Sequence, residues 1–215
     1  MSEKYETNHK NPDLFYNRAM VQLYLENFSS AHSDLMISAN IDSTLNAKKL
    51  SEELELILKH SAKQLKNQCG IKQKKLLQIT ASIPNNLIYK DFTQMDLSEF
   101  SQNKITKNKF ISAKIIQLVP KIGEIPVSLF CCDYKGFFFI LSVYNLDKIF
   151  VKYINFQESN IVIFHPYIVE SSFSYEGKKF DYYTVKATEL SNLLLDDKNC
   201  SIFSSTSELS SKFFS

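Results

Sequence analysis

The sequence predicts an α+β protein in which a helical N-terminal part precedes a β domain. Residues 11–68 place apolar side chains at intervals of three and four, which is typical of helices that pack on one side. Residues 109–200 contain short apolar runs that are rich in β-branched and aromatic residues and are interrupted by glycine-containing turns. A chain of 215 residues with 44% hydrophobic residues can build a core for each part. We therefore expect a helical hairpin with a capping helix, followed by a small closed β-barrel or a β-sandwich.

The helical part begins at a recognisable start. A polar segment, residues 1–10, is expected to be disordered. At Asn11-Pro12-Asp13 the asparagine can cap a helix, proline is tolerated in the first turn, and an acid suits the positive end of the helix dipole. Helices are predicted over 13–25, 30–40 and 45–68. The third carries one apolar stripe on a charged surface, as expected of a helix that caps a helical repeat.

The β part is organised around two hairpins. In the first, apolar runs over 127–132 and 137–144 flank Asp133-Tyr134-Lys135-Gly136. In the second, strands over 172–175 and 178–186 flank Glu176-Gly177, where the glycine can adopt a left-handed conformation without steric cost. Further strands are predicted over 110–119, 160–164 and 193–195, with one helical piece over 147–156.

The boundaries follow from the polar segments. Residues 81–108 are polar and irregular, and we interpret them as a linker between an α domain, 11–80, and a β domain, 109–200. A linker of this length predicts two separately folded domains. Residues 201–215 form a serine-rich tail.

Charge and cysteine content narrow the functional classes. The net charge is only +2, so the molecule as a whole is not a polyelectrolyte binder. The cysteines show no CxxC spacing, and we interpret them as reduced packing residues of a cytosolic or nuclear protein. They are Cys69, Cys131, Cys132 and Cys200. No signal peptide is visible and the longest apolar run is too short to span a bilayer, so no membrane association is expected.

Enzymatic functions find little support in the residue pattern. With four glycines in the chain, no phosphate loop or dinucleotide-binding fingerprint can be built. The histidines have no metal-ligand spacing, and no serine lies in a nucleophile-elbow context. The histidines are His9, His32, His60 and His165. We therefore predict no catalytic site, no metal and no cofactor.

One segment is strongly basic. From Lys59 to Lys90 there are seven lysines and no acidic residue. The first three fall at the end of the third predicted helix, where they complement the helix dipole. Lys72, Lys74 and Lys75 lie beyond that helix, so the dipole does not explain them. They can attract a phosphate backbone, or they can be a solvated basic face without a partner. Lysine without interleaved arginine or aromatic residues does not favour base-specific reading.

The first two predicted helices match the pattern of a tetratricopeptide repeat. Counted from Pro12, residues of the expected size occupy the pattern's positions. These are Phe15, Ala19, Phe28, Ala31, Leu35, Ala39 and Asp42. Arg18, Gln22 and Ser43 depart from the pattern, because they stand where it has an apolar residue, an aromatic residue and a proline. A generic helical hairpin explains these residues equally well.

Matching motifs continue, in the same order, through residues 11–198. They are Asn11-Pro12-Asp13-Leu14, Asn17-Arg18-Ala19, Lys72-Gln73-Lys74-Lys75-Leu76, Pro126, Val143-Tyr144-Asn145, Gly177-Lys178, the aromatic-rich strand ending at Val185, and Leu193-Leu194-Leu195. With these motifs the chain resembles the C-terminal half of the tetratricopeptide repeat protein 5 family. The resemblance implies that the β domain is a small barrel of OB-fold type and that the helices are its last tetratricopeptide repeat and capping helix.

The resemblance also implies a function. The family is described as a non-enzymatic adaptor that engages ribosomes making tubulin, recognises the nascent tubulin peptide in the groove of the repeats, and recruits decay machinery for tubulin mRNA. A nuclear role as a transcription cofactor is described as well. The implied partners are therefore nascent tubulin, the ribosome with contacts to RNA backbone, and transcription cofactors, in the cytoplasm and the nucleus.

The site residues carry over in part. Asp13 matches an acidic groove residue of the family, and a carboxylate can pair with a peptide amine or an arginine, although a first-turn helix acid explains it equally well. A second acidic groove position falls on Ala47. Lys72, Lys74 and Lys75 match a basic segment linked to ribosome contact. The family has several repeats where this chain has one, and a groove normally needs about three, so peptide recognition stays open, as does whether the chain is truncated.

An alternative of another class is a module that binds single-stranded nucleic acid. OB folds bind strands by stacking bases on sheet aromatics beside basic residues. Phe180, Tyr182 and Tyr183 can provide such rings, near Lys178 and Lys186. Strand alternation sends Phe180 and Tyr182 to one face and Tyr183 to the other, which predicts that most of these rings pack in the core. The adaptor interpretation is therefore preferred.

Overall fold

The computed structural model describes residues 11–68, 72–100, 106–119, 126–146 and 148–203. Within these residues four helices precede a β domain. The helices are α1 (Pro12–Tyr24), α2 (Phe28–Ile41), α3 (Ala47–Gln68) and α4 (Gln73–Ala81). The predicted α+β class is confirmed. The expected disordered lead, 1–10, and all but the first three residues of the expected tail, 201–215, lie outside the described residues.

The helical hairpin α1–α2 is stabilised by a helix cap and by small residues between its two helices. Asn11 is the N-cap of α1, and its side-chain oxygen accepts the backbone N–H of Asp13 at 3.0 Å. Pro12 occupies the first turn, where its missing N–H leaves no hydrogen bond unmade. Ala19 of α1 and Ala31 of α2 are both fully buried. Small residues at these positions let the two helices approach closely.

Helix α3 buries Leu54, Leu58 and Ala62 of the predicted stripe, while Leu50 and Ile57 are half-buried. Ala47, Leu54, Leu58 and Ala62 recur at helical spacing, and each is at most 5% exposed. Helix α4 was not predicted: the segment that begins at Lys72 was expected to lie beyond the last helix, whereas Gln73–Ala81 is helical. Among the described helices, none combines the length and the apolar character that a membrane span requires.

The strands form one sheet. In chain order they are β1 (Thr93–Gln94), β2 (Lys109–Val119), β3 (Val127–Asp133), β4 (Phe138–Val143), β5 (Asn160–Phe164), β6 (Tyr167–Tyr175), β7 (Lys178–Ala187), β8 (Leu193–Leu195) and β9 (Lys198–Asn199). The sheet order is β6-β7-β4-β3-β2-β5-β8-β9, with β1 beside β2. Strands β4 and β7 are parallel, whereas β2 is antiparallel to both β3 and β5.

Two features bend this sheet. The register of β2 against β3 shifts between Ile115 and Gln117, and such a bulge increases local twist and bends the strand. Strands β5 and β6 follow each other directly, separated only by His165 and Pro166, with His165 at a φ of 48°. Because β5 and β6 lie on opposite sides of β2, β3, β4 and β7 in the sheet order, this short connection curls the sheet towards closure.

Both predicted hairpin turns are present. Gly136 has a φ of 93° and Gly177 a φ of 70°, so each glycine takes the left-handed conformation that other residues rarely adopt. Glu176, before Gly177, also has a positive φ of 49°. Two successive positive φ values are typical of a type I′ turn, whose twist matches that of the flanking strands. The predicted helical piece over 147–156 is a 3-10 helix, Lys148–Tyr153, and Asp147 lies outside the described residues.

The segment predicted as a linker over 81–108 differs from that expectation. It contributes β1, which pairs in parallel with β2, and a 3-10 helix, Leu97–Glu99. Met95 and Leu97 are at most 2% exposed and belong to the core of the β domain. Strand β1 has only two residues, which is too short for a recognisable alternation of apolar and polar side chains. It forms only because it pairs with β2, 16 positions further along the chain.

The cysteines pack as predicted. Cys131, Cys132 and Cys200 are buried and form no disulfide, and Cys69 lies outside the described residues. Burial raises the pKa of Cys132 and of Cys200 to about 12, so both thiols stay protonated at neutral pH. The contacts between residues divide the chain into two compact units. The first holds α1, α2, most of α3 and the hairpin tip Ser172–Phe180, and the second holds α4 and the rest of the β domain.

Candidate functional site

Helix α4 presents the three lysines that the sequence singled out. Its N-cap is Lys72, whose φ of −57° and ψ of 134° lie outside the helical region. The carbonyl oxygen of Lys72 accepts the N–H groups of Lys75 at 2.8 Å and Leu76 at 3.2 Å, which starts the helix. Lys72, Lys74 and Lys75 are all exposed. In the described part of the chain, none of the three forms an ion pair.

The position of these lysines opposes the stability of the helix. The first turn of α4 contains no acidic residue, and no side chain caps its N–H groups. An N-terminus carries the positive end of the helix dipole, so lysines there are repelled by about 0.3–1 kcal/mol each at low salt. In α3, Lys59 and Lys63 lie late, where the dipole favours them, whereas Lys48 and Lys49 lie in the first turn. Helix stability therefore explains Lys59 and Lys63 but not the lysines of α4.

Leu76 holds α4 against the turn between β3 and β4. Its methyl carbons lie 3.5 Å from the position that a Cβ on Gly136 would take. Gly136 thus lets the turn come close to the leucine while it adopts a φ of 93°. Ile83, just after α4, is 3% exposed. Helix α4 thus contacts the β domain through Leu76 although none of its residues is fully buried, and its three lysines are exposed.

A buried carboxylate shapes the same turn. Asp133 is fully buried and accepts three backbone N–H groups: those of Lys135 at 3.0 Å, Phe137 at 2.8 Å and Leu97 at 3.0 Å. The first two close the turn, and the third ties the 3-10 helix Leu97–Glu99 to it. Burial raises the pKa of Asp133, against the lowering effect of the three hydrogen bonds. This carboxylate therefore acts as a structural acceptor.

A second acid supports the turn from the side. Asp96 is 4% exposed and accepts the Ser98 N–H at 2.7 Å, the Ser98 hydroxyl, and the Tyr134 hydroxyl at 3.3 Å. Burial raises the pKa of Asp96, but these hydrogen bonds outweigh burial and hold the pKa below its usual value. The pKa of Tyr134 rises to about 12 because of burial and the charge of Asp96. The ammonium of Lys135 stands 5.5 Å from the centre of the Tyr134 ring.

Asp13 lies on the exposed side of α1. Its backbone N–H is bound by Asn11, but its carboxylate has no hydrogen-bond or ion-pair partner among the described residues. Exposed apolar side chains lie on the same helix: Leu14, Met20, Val21 and Tyr24. The second groove position, Ala47, is fully buried at the start of α3. An acidic partner for a peptide is thus present at Asp13 and absent at Ala47.

Sequence reasoning missed an ion pair in the helical hairpin. Arg18 departs from the repeat pattern, and its guanidinium binds both carboxylate oxygens of Asp34 on α2, at 2.6 and 2.7 Å. The guanidinium carbon also lies 5.3 Å from the centre of the Phe15 ring. Asp34 is buried while Arg18 remains half-exposed. Two opposite charges at core-facing positions of adjacent predicted helices were the pattern that could have revealed this pair.

The rings proposed for base stacking are engaged within the protein. Phe180 stacks on Phe173 with ring centres 5.1 Å apart and an interplanar angle of 16°. Tyr182 is 9% exposed. Tyr183, on the opposite face of β7, packs against the core and meets Phe100 edge-on at 5.8 Å. The structure therefore does not bring the three rings together on one exposed surface.

The histidines and acids described by the structure form no group of three that could hold a metal ion. His165 instead links the connection between β5 and β6 to the turn before β2, since its Nδ1 accepts the backbone N–H of Asn108 at 3.2 Å. His9 lies outside the described residues.

The β domain matches a known protein family. The family model for the tetratricopeptide repeat protein 5 OB fold domain matches residues 91–206. The match includes β1 and starts at residue 91. The sequence pattern had placed the start of the β domain later, at Lys109. No curated protein sequence matches the chain. The matched residues make up more than half of the 215-residue chain and cover the whole described sheet, which confirms the expected OB-fold domain. The chain belongs to the family of the tetratricopeptide repeat protein 5 OB fold domain.

Proposed function

We propose that this protein is a non-enzymatic adaptor that docks on ribosomes through Lys72, Lys74 and Lys75. One observation carries the proposal: the three exposed lysines occupy the N-terminal turn of α4, where they oppose the helix dipole and where no acidic residue stands. A basic surface that costs helix stability is better explained by a partner than by solubility. The family's ribosome association supports the same assignment.

The chemistry of the surface suits a phosphate backbone. Lysine is a compact charge on a flexible stem, so it can follow phosphates without a fixed geometry. Each phosphate that is neutralised releases counterions, which makes the affinity depend on salt. Leu76 places α4 against the turn at Gly136, so the lysines are presented next to the β domain.

We assign recognition of a nascent tubulin peptide to the exposed side of α1. The carboxylate of Asp13 can accept a peptide amine or an arginine, and the neighbouring Met20 and Tyr24 offer exposed apolar surface. Through the same adaptor role we propose promotion of tubulin mRNA decay in the cytoplasm and a transcription-cofactor role in the nucleus. These activities are proposed from the resemblance to the family alone.

The alternative function, base stacking by the β domain, has lost its support. Phe180, Tyr182 and Tyr183 pack against protein, so a strand could reach them only after the rings had been displaced. Displacement would cost the burial of large aromatic side chains.

Ribosome docking can be tested by co-sedimentation with purified ribosomes over a series of salt concentrations. We expect the wild type to pellet at low salt and to be released as salt rises, because phosphate contacts are screened. The triple variant K72E/K74E/K75E is expected to stay in the supernatant. A matched control, K152E/K178E/K198E, changes three exposed lysines outside α4 by the same charge and is expected to pellet normally.

Loss of pelleting in both triple variants would contradict the proposal, because charge alone would then account for binding. Failure of the wild type to pellet at low salt would also contradict it. Peptide recognition needs a separate measurement, binding of a labelled peptide with the N-terminal sequence of tubulin. We expect D13N to weaken that binding and E52Q, at an exposed acid of α3, to leave it unchanged.

A further inference from the structure

We infer that the basic surface continues from α4 onto the turn between β3 and β4, where Lys135 joins Lys72, Lys74 and Lys75 in one site for an RNA phosphate backbone. The inference rests on the proposed ribosome docking and extends it to a residue that lies 60 positions after Lys75. Neither the sequence pattern nor the family resemblance pointed to Lys135. The contact between the helix and the turn brings these positions together.

The contact between Leu76 and Gly136 sets this arrangement. Lys75 precedes Leu76, and Lys72 lies one helical turn before it on the same face of α4. Lys135 precedes Gly136 in the turn. Since the Leu76 methyl carbons lie 3.5 Å from the Cβ position of Gly136, Lys72 and Lys75 of the helix and Lys135 of the turn stand next to a single contact. Both elements belong to the same compact unit.

Lys135 is held in a defined place. Its backbone N–H donates to the buried Asp133 at 3.0 Å, and its ammonium stands over the ring of Tyr134. The Tyr134 hydroxyl reaches Asp96, which fixes the ring. The side chain of Lys135 nevertheless remains exposed. A cation above a fixed ring loses less freedom on binding than one on a free stem.

The acids near the turn are engaged by groups of the protein. Asp133 is fully buried and Asp96 is 4% exposed, and both accept hydrogen bonds from the protein. Glu99 is exposed but forms an ion pair with Lys109 at 3.8 Å. A surface of lysines without arginine suits phosphates better than carboxylates, because planar bidentate pairing with a carboxylate is a property of arginine. RNA backbone is therefore the partner we propose, rather than an acidic protein segment.

Salt-dependent binding of the full chain to a labelled RNA duplex tests this site. Each lysine that contacts a phosphate contributes roughly 0.9 to the slope of log affinity against log salt. We expect K135Q and K74Q each to reduce the slope by about 0.9. The control K152Q, at an exposed lysine on the 3-10 helix Lys148–Tyr153, is expected to leave it unchanged. Thermal unfolding should verify that the three variants fold equally well.

The outcomes separate the two proposals. If K74Q lowers the slope and K135Q does not, the extension to Lys135 is overturned while ribosome docking through α4 stands. If neither variant changes the slope but K72E/K74E/K75E loses ribosome pelleting, the phosphate chemistry is overturned and the docking stands. Binding of polyglutamate as tight as binding of the duplex at equal salt would overturn the choice of RNA over an acidic protein.

Discussion

The helical hairpin and the β domain each bury a carboxylate, but they stabilise it in different ways. In the hairpin, Asp34 is balanced by the side chain of Arg18, which is itself 54% exposed. In the β domain, Asp133 is fully buried and is balanced by three backbone N–H groups. The first carboxylate depends on a replaceable side chain, whereas the second is part of the backbone structure of a turn. The two regions should therefore respond differently to mutation.

The largest effect is expected from D133A. Removal of the carboxylate leaves three N–H groups without their acceptor, and each buried unsatisfied group costs about 1–3 kcal/mol. We expect the unfolding free energy of the β domain to fall by about 3 kcal/mol or more. Urea unfolding followed by circular dichroism measures this loss. The control E170A, at an exposed acid of β6, should change stability by less than about 0.5 kcal/mol. Equal stability of D133A and E170A would refute the structural role of Asp133.

A smaller effect, with a rescue, is expected in the hairpin. R18M leaves Asp34 buried without its cation, which we expect to cost about 2 kcal/mol. Replacement of both members in R18M/D34L removes the unpaired charge and should recover most of the loss. If the double variant were as unstable as R18M, the ion pair would not be replaceable by apolar residues. The contrast between Asp34 and Asp133 would then be contradicted. Thermal unfolding of the wild type and both variants decides the question.

A pH dependence is expected from the second acid of the β domain. The folded protein holds the pKa of Asp96 below its usual value, so the ionised form stabilises the fold above the unfolded pKa of about 3.9. That stabilisation is lost as pH falls through the lower, folded pKa. The difference in unfolding free energy between wild type and D96N should therefore be constant at neutral pH and narrow as the pH falls from about 5 through the folded pKa of Asp96. A difference that grows towards acidic pH would show that the sign of the pKa shift is wrong.

The smallest effect concerns exposed charge on α4. K74E places an acid in the first turn, so the helix dipole should stabilise the fold by about 0.5 kcal/mol. The same change should weaken ribosome pelleting, because it reverses one charge of the docking surface. Stability and binding would then move in opposite directions, which is the mark of a functional surface. If K74E lowered stability and left pelleting intact, the lysine would be structural.

Local patterns were enough to predict much of the fold. The cap at Asn11, the stripe of α3, and the glycine turns at Gly136 and Gly177 each depend on residues a few positions apart. Their conformations follow from local sterics and hydrogen bonding, so the sequence alone defines them. The order of motifs was also sufficient to identify the family. The three lysines of α4 were recognised from their charge, but the helix that carries them was not.

The remaining features depend on contacts between distant positions. Arg18 and Asp34 are 16 positions apart, and Leu97 and Asp133 are 36 apart. The same is true of Leu76 against Gly136 and of Phe100 against Tyr183. The sequence by itself determined the element types, the turns, the family and the lysines. Only the tertiary structure decided which charges are buried, that α4 belongs with the β domain, and that Leu76 of α4 contacts the turn that carries Lys135. Packing and buried hydrogen bonds join residues whose spacing along the chain carries no pattern.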